Sequence, residues 1–216
     1  MSTVNYQLST ALYLVTNSDD KSEADFLEII EQACQGGVTL VQLREKDLSG
    51  REYYELAVRV KAVTDWFNVP LIIDDRMDIA LAVNAAGVHL GQSDLPISAA
   101  RRVMGPDKIL GATAKTPEQA REAEDSGADY LGVGAIYPTT TKVKTVITPV
   151  ETLSEITKNV KIPVVAIGGL NAGNLDVLYG SGARGIAVVT AIMNSRNPKE
   201  AALELRRLVE RHIIGG

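Results

Sequence analysis

Eight short apolar runs alternating with amphipathic stretches predict an α/β fold, a (β/α)8 TIM barrel that takes the whole chain, residues 1–216, as one domain. Two further observations support it. The length suits a compact barrel, since such barrels start at about 200 residues. The apolar runs also lack strict polar alternation, as strands buried on both faces do.

The predicted strands cover residues 11–16, 39–44, 70–74, 88–92, 108–114, 130–136, 163–167 and 185–190. Each has the short length of a buried strand. Amphipathic helices are expected between them, most clearly over 23–35, 52–66, 117–126 and 199–212. In the last, Ala202, Leu205, Leu208 and Val209 form a stripe at helical spacing. Several helices run into a glycine before the next strand, as at Gly36-Gly37, Gly87, Gly127 and Gly182, where glycine accepts the conformation that ends a helix. The rival architecture is an open doubly wound sheet. It would place Gly-x-Gly-x-x-Gly after the first strand if it held a dinucleotide, and the sequence has none there.

Composition narrows the function. The chain is 45% apolar and 23% charged, with a formal net charge of −5 and no basic tract, which argues against wholesale nucleic-acid binding. Apolar runs fall well short of the roughly 20 residues that span a membrane. Cys34 is the only cysteine, so no intramolecular disulfide forms. A cytoplasmic enzyme acting on small molecules is the expectation, and a homo-oligomer is compatible with it.

In a barrel the chemistry gathers at the C-terminal ends of the strands. Gln42, Arg44 and Lys46 follow one another at i, i+2 and i+4 and so share a strand face. They line an amide, a guanidinium and an ammonium along one wall. A solvated charge run, with Glu45 in its midst, is the plainer alternative; Lys142, arriving from the sixth strand, tips the reading to an anion pocket. Asp75 and Asp94 close adjacent strands. They are expected to share Mg2+, which takes one or two carboxylates and fills its shell with phosphate oxygens and water; the alternative is two helix caps. Gly168-Gly169 and Val189-Thr190 offer bare backbone amides where barrels often hold a phosphate. His89 lies inside a strand, so a structural, hydrogen-bonded role is expected. Cys34 is expected to be inert.

These motifs together resemble the thiamine phosphate synthase family. The resemblance is carried by Val41-Gln42-Leu43-Arg44-Glu45-Lys46, by residues 72–80, by Gly87-Val88-His89-Leu90-Gly91-Gln92-Ser93-Asp94-Leu95-Pro96, by residues 128–134, by Tyr137-Pro138-Thr139-Thr140-Thr141-Lys142 and by Ala166-Ile167-Gly168-Gly169-Leu170, in that order. It implies coupling of 4-amino-5-hydroxymethyl-2-methylpyrimidine diphosphate to 4-methyl-5-(2-phosphoethyl)thiazole or its carboxylate, with release of pyrophosphate. By resemblance, Gln42, Arg44 and Lys46 hold the pyrimidine diphosphate and Lys142 closes on its phosphates. Asp75 and Asp94 match the Mg2+ ligands, and Thr113 stands where the family usually has a serine contacting the diphosphate. Thr139, Thr140, Thr141, Gly169, Val189 and Thr190 match the thiazole phosphate contacts. Two departures stand out. Asp74, expected to face the pyrimidine, occupies a position where the family commonly has Asn, and residues 143–147 lack the Asp often found after the Lys. A thiazole tautomerase of the same family and a non-catalytic phosphate-ligand sensor are the competing readings. Neither needs both the metal pair and the cation wall.

Overall fold

The structure, a computed structural model, describes residues 8–139 and 146–215. Eight parallel strands close into a barrel in sequence order: β1 (Leu12–Val15), β2 (Leu40–Leu43), β3 (Leu71–Asp74), β4 (Gly87–Leu90), β5 (Ile109–Ala114), β6 (Tyr130–Gly134), β7 (Val164–Ile167) and β8 (Gly185–Val188). β8 pairs back on β1, with Leu12 beside Ile186, so no strand edge is left open.

The helices are α1 (Glu23–Gln35), α2 (Gly50–Trp66), α3 (Met77–Ala82), α4 (Ile97–Met104), α5 (Pro117–Asp125), α6 (Val150–Asn159), α7 (Thr190–Met193) and α8 (Pro198–Val209). Their starts are written in side chains. Ser22, Thr116 and Asn197 each accept from the backbone N–H three residues on, and Ser49 with Glu52 forms a reciprocal capping box. That box starts α2 at Gly50, two residues before the expected 52. Pro198 likewise opens α8 one residue early, because a proline's missing N–H costs nothing in the first turn. β7 is followed by only a 3₁₀ turn at Leu175–Leu178.

Strand parity divides the core. Leu12 and Leu14 face outward into the layer beneath the helices, with Phe26 and Ile30 of α1. Tyr13 and Val15 face inward, where Leu40, Ile72, Tyr130, Val165 and Ala187 fill the barrel. Fully burying one such aliphatic side chain stabilises the fold by roughly 1.5–3 kcal/mol. The interior therefore holds two tyrosines as well as aliphatic side chains, and their hydroxyls need partners.

On the N-terminal face, Arg101 ties strand beginnings together. Its guanidinium donates to the carbonyls of Gly105, Lys108 and Gly127 and to the Asp129 carboxylate at 2.6 Å. Asp129 accepts in turn from the Leu110 N–H. Polar links at this end hold the barrel closed and leave the opposite rim free for chemistry.

Candidate active site

At the C-terminal ends of the strands lies a cavity of about 500 Å³. It is lined by Gln42, Arg44 and Lys46 from the β2 end, Asp74 and Asp75 from β3, Asp94 after β4 and Thr113 on β5. Thr139, Gly169, Val189 and Thr190 line the opposite side. Thr140, Thr141 and Lys142 lie outside the described residues. Pleating explains the near wall. Gln42 points into the barrel, and Arg44 and Lys46 keep that parity beyond the strand end. Glu45, of opposite parity, instead accepts a 2.7 Å bond from Ser18 Oγ. The Tyr53 hydroxyl of α2 donates to the Leu43 carbonyl at 2.7 Å, fixing where this wall begins.

Charge is densest between β2 and β3. Lys46 Nζ lies 2.8 Å from Asp74 Oδ2 and also pairs with Asp75, while Arg44 Nε is 3.7 Å from Asp74. Burial alone would lower the Lys46 ammonium, but its bonds to Asp74 and Asp75 outweigh that and hold it above its ordinary range. Asp74 is buried, and burial pushes its carboxyl up against the opposing pull of Lys46 and Arg44. Its carboxylate therefore stands committed to two cations. Asp94 accepts from the Gly91 N–H at 2.7 Å. Burial first, and then the neighbouring Asp75 carboxylate, raise the Asp94 carboxyl. Neither Asp75 nor Asp94 caps a helix: the N-caps of α3 and α4 are Arg76 and Pro96, without side-chain capping bonds. Asp75 also adopts φ 58°, a left-handed conformation that Asp tolerates better than most residues.

Below this charged rim runs a polar floor. Gln42 Nε2 donates to Tyr13 Oη at 2.6 Å, and Tyr13 and Tyr130 hydroxyls meet at 2.8 Å. Tyr130 Oη is 3.0 Å from His89 Nδ1, and His89 Nε2 is 3.0 Å from Thr113 Oγ1. Burial holds both phenols above their ordinary range, so both stay neutral hydroxyls. His89 thus has the hydrogen-bonded role its strand position suggested, but in the cavity wall. Gly111 makes room for it, because a Cβ there would collide with the Tyr130 ring and His89 Nδ1.

Across the cavity, Gly168 and Gly169 have φ 106° and 65°, a backbone that an L side chain enters only with strain. A Cβ on Gly169 would sit 2.8 Å from the Pro138 carbonyl oxygen, so bare backbone is required here before any ligand is considered.

The pattern of the thiamine monophosphate synthase family matches residues 12–192. A thiamine-phosphate synthase of Enterococcus faecalis is 54% identical over 93% of this chain and 94% of that protein. The chain belongs to the thiamine monophosphate synthase family. A second member, from Streptococcus pneumoniae, is 58% identical over 86% of this chain and 89% of its own length. Among solved structures, the family's thiamine phosphate pyrophosphorylase from Pyrococcus furiosus superposes with a TM-score of 0.84 at 40% identity, covering 93% of this chain and 96% of that one. A 3-hexulose-6-phosphate synthase, at TM-score 0.70 and 19% identity, shares the barrel architecture.

Two residues of the polar floor have no counterpart among the sequence-based expectations: Tyr13, which lines the cavity, and Tyr130, fully buried behind it. In the sequence Tyr13 stands within an apolar run, and Tyr130 within a predicted strand and a motif. Their inward parity was the available signal, since an inward tyrosine in a closed barrel must find a polar partner. Cys34 lies on α1 away from the cavity, and burial pushes its thiol up to about 12, too high for a nucleophile at neutral pH. Among the described residues no helix is long and apolar enough to cross a membrane.

Proposed function

We propose that the chain is a Mg2+-dependent thiamine phosphate synthase, joining the aminopyrimidine methyl diphosphate to the thiazole phosphate, or to its carboxylate with loss of CO2, and releasing pyrophosphate. The observation that carries this reading is the rim where Arg44 and Lys46 face Asp74, Asp75 and Asp94 above a cavity large enough for a small ligand. A diphosphate needs several cations close together, and its departure needs them fixed beforehand.

The metal fits the donor set. Asp75 and Asp94 are neighbouring carboxylates on the cavity lining, a like-charge pair that a divalent cation would relieve. Among the described residues no cluster of three or more acidic, His or Cys side chains exists to hold a metal. Two carboxylates plus phosphate oxygens and water are what Mg2+ commonly accepts. When bound, Mg2+ would add positive charge at the leaving diphosphate.

In the reaction the C–O bond between the pyrimidine methylene and the diphosphate breaks, its electron pair leaving with oxygen. The thiazole nitrogen then supplies the pair for the new C–N bond. Arg44 and Lys46, with Lys142, stabilise the departing charge. Gln42 and Asp74 hold the pyrimidine, whose amino group spreads the positive charge of the methylene. Thr113 contacts the diphosphate. Thr139, Thr140 and Thr141 hold the thiazole phosphate with Gly169, Val189 and Thr190, placing the nucleophile in line. No group need remove a proton, which agrees with His89 being bonded at both ring nitrogens. A cytoplasmic setting suits a chain whose single cysteine can form no intramolecular disulfide.

The test is incubation with both substrates and Mg2+, following thiamine phosphate, and repetition with a chelator. Coupling that collapses on chelation is expected. Isomerisation of the thiazole without coupling would make the chain a tautomerase instead.

A further inference from the structure

We propose that His89, Tyr130 and Tyr13 are positioning residues: a one-way hydrogen-bond chain from the Gln42 amide fixes His89 as its Nε2–H tautomer and turns the Thr113 hydroxyl hydrogen into the cavity. Thr113 is thereby a preset donor to an anionic oxygen of the bound substrate. The inference rests on the coupling reaction proposed above, in which that oxygen belongs to the departing diphosphate.

The polarity follows from counting hydrogens. An amide nitrogen only donates, so Tyr13 Oη accepts from Gln42 Nε2. A phenol carries one hydrogen, and among the described residues the Tyr13 hydroxyl has only Tyr130 Oη left to receive it. Tyr130 has then accepted, and its own hydrogen goes to its remaining partner, His89 Nδ1. A neutral imidazole that accepts at Nδ1 carries its hydrogen at Nε2, which donates to Thr113 Oγ1. Among the described residues Thr113 Oγ1 has no acceptor for its own hydrogen, and Thr113 lines the cavity. Five strands take part: β2, β1, β6, β4 and β5. The opposite amide orientation at Gln42 would reverse every bond, put the hydrogen on Nδ1 and spend the Thr113 hydrogen on the imidazole.

The surroundings fit a fixed chain. Tyr13 and Tyr130 pack edge to face with ring centroids 5.8 Å apart, and both are almost fully buried. Gly111 leaves the space that the Tyr130 hydroxyl and the imidazole fill, and a Cβ at Gly132 would come within 3.2 Å of His89 Cε1. A threonine hydroxyl otherwise rotates among staggered positions. One that already accepts from His89 is oriented before substrate arrives, and a preset donor needs no reorganisation during the reaction.

Spectra of 15N-histidine-labelled protein, with His212 assigned through His212→Gln, read the tautomer directly in the wild-type chain. The expected result is an unprotonated Nδ1 and a protonated Nε2 at His89; a hydrogen on Nδ1, whether alone or together with one on Nε2, overturns the proposal. Kinetics test the consequence. Thr113→Val should lower kcat about a hundredfold, as loss of one preset donor does, and Thr113→Ser should restore most of it. Tyr130→Phe should lower kcat about tenfold and leave the thiazole phosphate KM within about twofold, because its effect passes through Thr113. The double variant Tyr130→Phe/Thr113→Val should then be no slower than Thr113→Val alone; additive losses overturn the chain as a means of positioning. A wild-type chain that makes no thiamine phosphate would overturn the coupling reaction, while the tautomer would still be read independently by the spectra.

Discussion

Replacing Asp74 by Asn keeps the shape of the side chain and removes one negative charge from the most charged part of the rim. Two effects oppose each other. The 2.8 Å charge-assisted bond to Lys46 and the longer 3.7 Å contact with Arg44 are lost as ion pairs; such a bond is worth about 1.5–3 kcal/mol net. Against that, burial no longer penalises a carboxylate, and Lys46 keeps Asp75 as a partner. The Lys46 side chain is 43% exposed, so solvent screening trims the loss. Stability should therefore change by no more than about 1 kcal/mol, or roughly 2–4 °C in Tm for a chain of this size. For catalysis, the cost of losing an acceptor for the pyrimidine amine is offset by freeing Lys46 and Arg44 for the diphosphate. The expected change in kcat is less than about tenfold, or about 1.4 kcal/mol. Asp74→Ala, which removes both shape and acceptor, should cost about 2 kcal/mol in kcat/KM. Steady-state kinetics and thermal unfolding of the two variants decide it. An Asn variant slowed a hundredfold would show that the charge itself is needed. An Ala variant as active as wild type would show that Asp74 touches no substrate.

Asp75→Asn should move the Mg2+ midpoint of activity upward by about tenfold or more, because half of the carboxylate pair is gone; an unchanged titration by a folded protein would refute the metal role. Arg44→Ala and Lys142→Ala should each lower kcat/KM by about 3 kcal/mol, the loss typical of one fixed donor to a developing anion, and near-normal kinetics in both would sink the leaving-group assignment. Arg101→Ala should cost about 3 kcal/mol of stability and about 6–12 °C in Tm, since it unties three carbonyls and Asp129 on the face remote from the cavity. Its substrate KM values should stay near wild type at a temperature where it is folded, which differential scanning calorimetry and kinetics together would check.

The barrel was legible because buried parallel strands are short, continuous and apolar, and because capping residues punctuate the helices between them. Boundaries were harder. The eighth strand reads smoothly through Val189-Thr190, yet β8 stops at Val188 and Thr190 opens α7, because the chain turns there rather than changing polarity. Gln42, Arg44 and Lys46 could be grouped from their spacing, since strand parity alone brings them to one wall. What no spacing showed was the commitment of Lys46 to Asp74 and Asp75, which depends on how β2 registers against β3. The polar floor was hidden for a related reason. Tyr13 and Tyr130 lie 117 residues apart and meet only when the barrel closes.

If this rim drives coupling by expelling pyrophosphate, the two products form together. Single-turnover quantification of pyrophosphate and thiamine phosphate with Mg2+, with and without the thiazole phosphate, decides this. One pyrophosphate is expected for each thiamine phosphate formed, and no thiamine phosphate from Arg44→Ala on the same timescale. Pyrophosphate released with no thiamine phosphate, when both substrates are present, would contradict it.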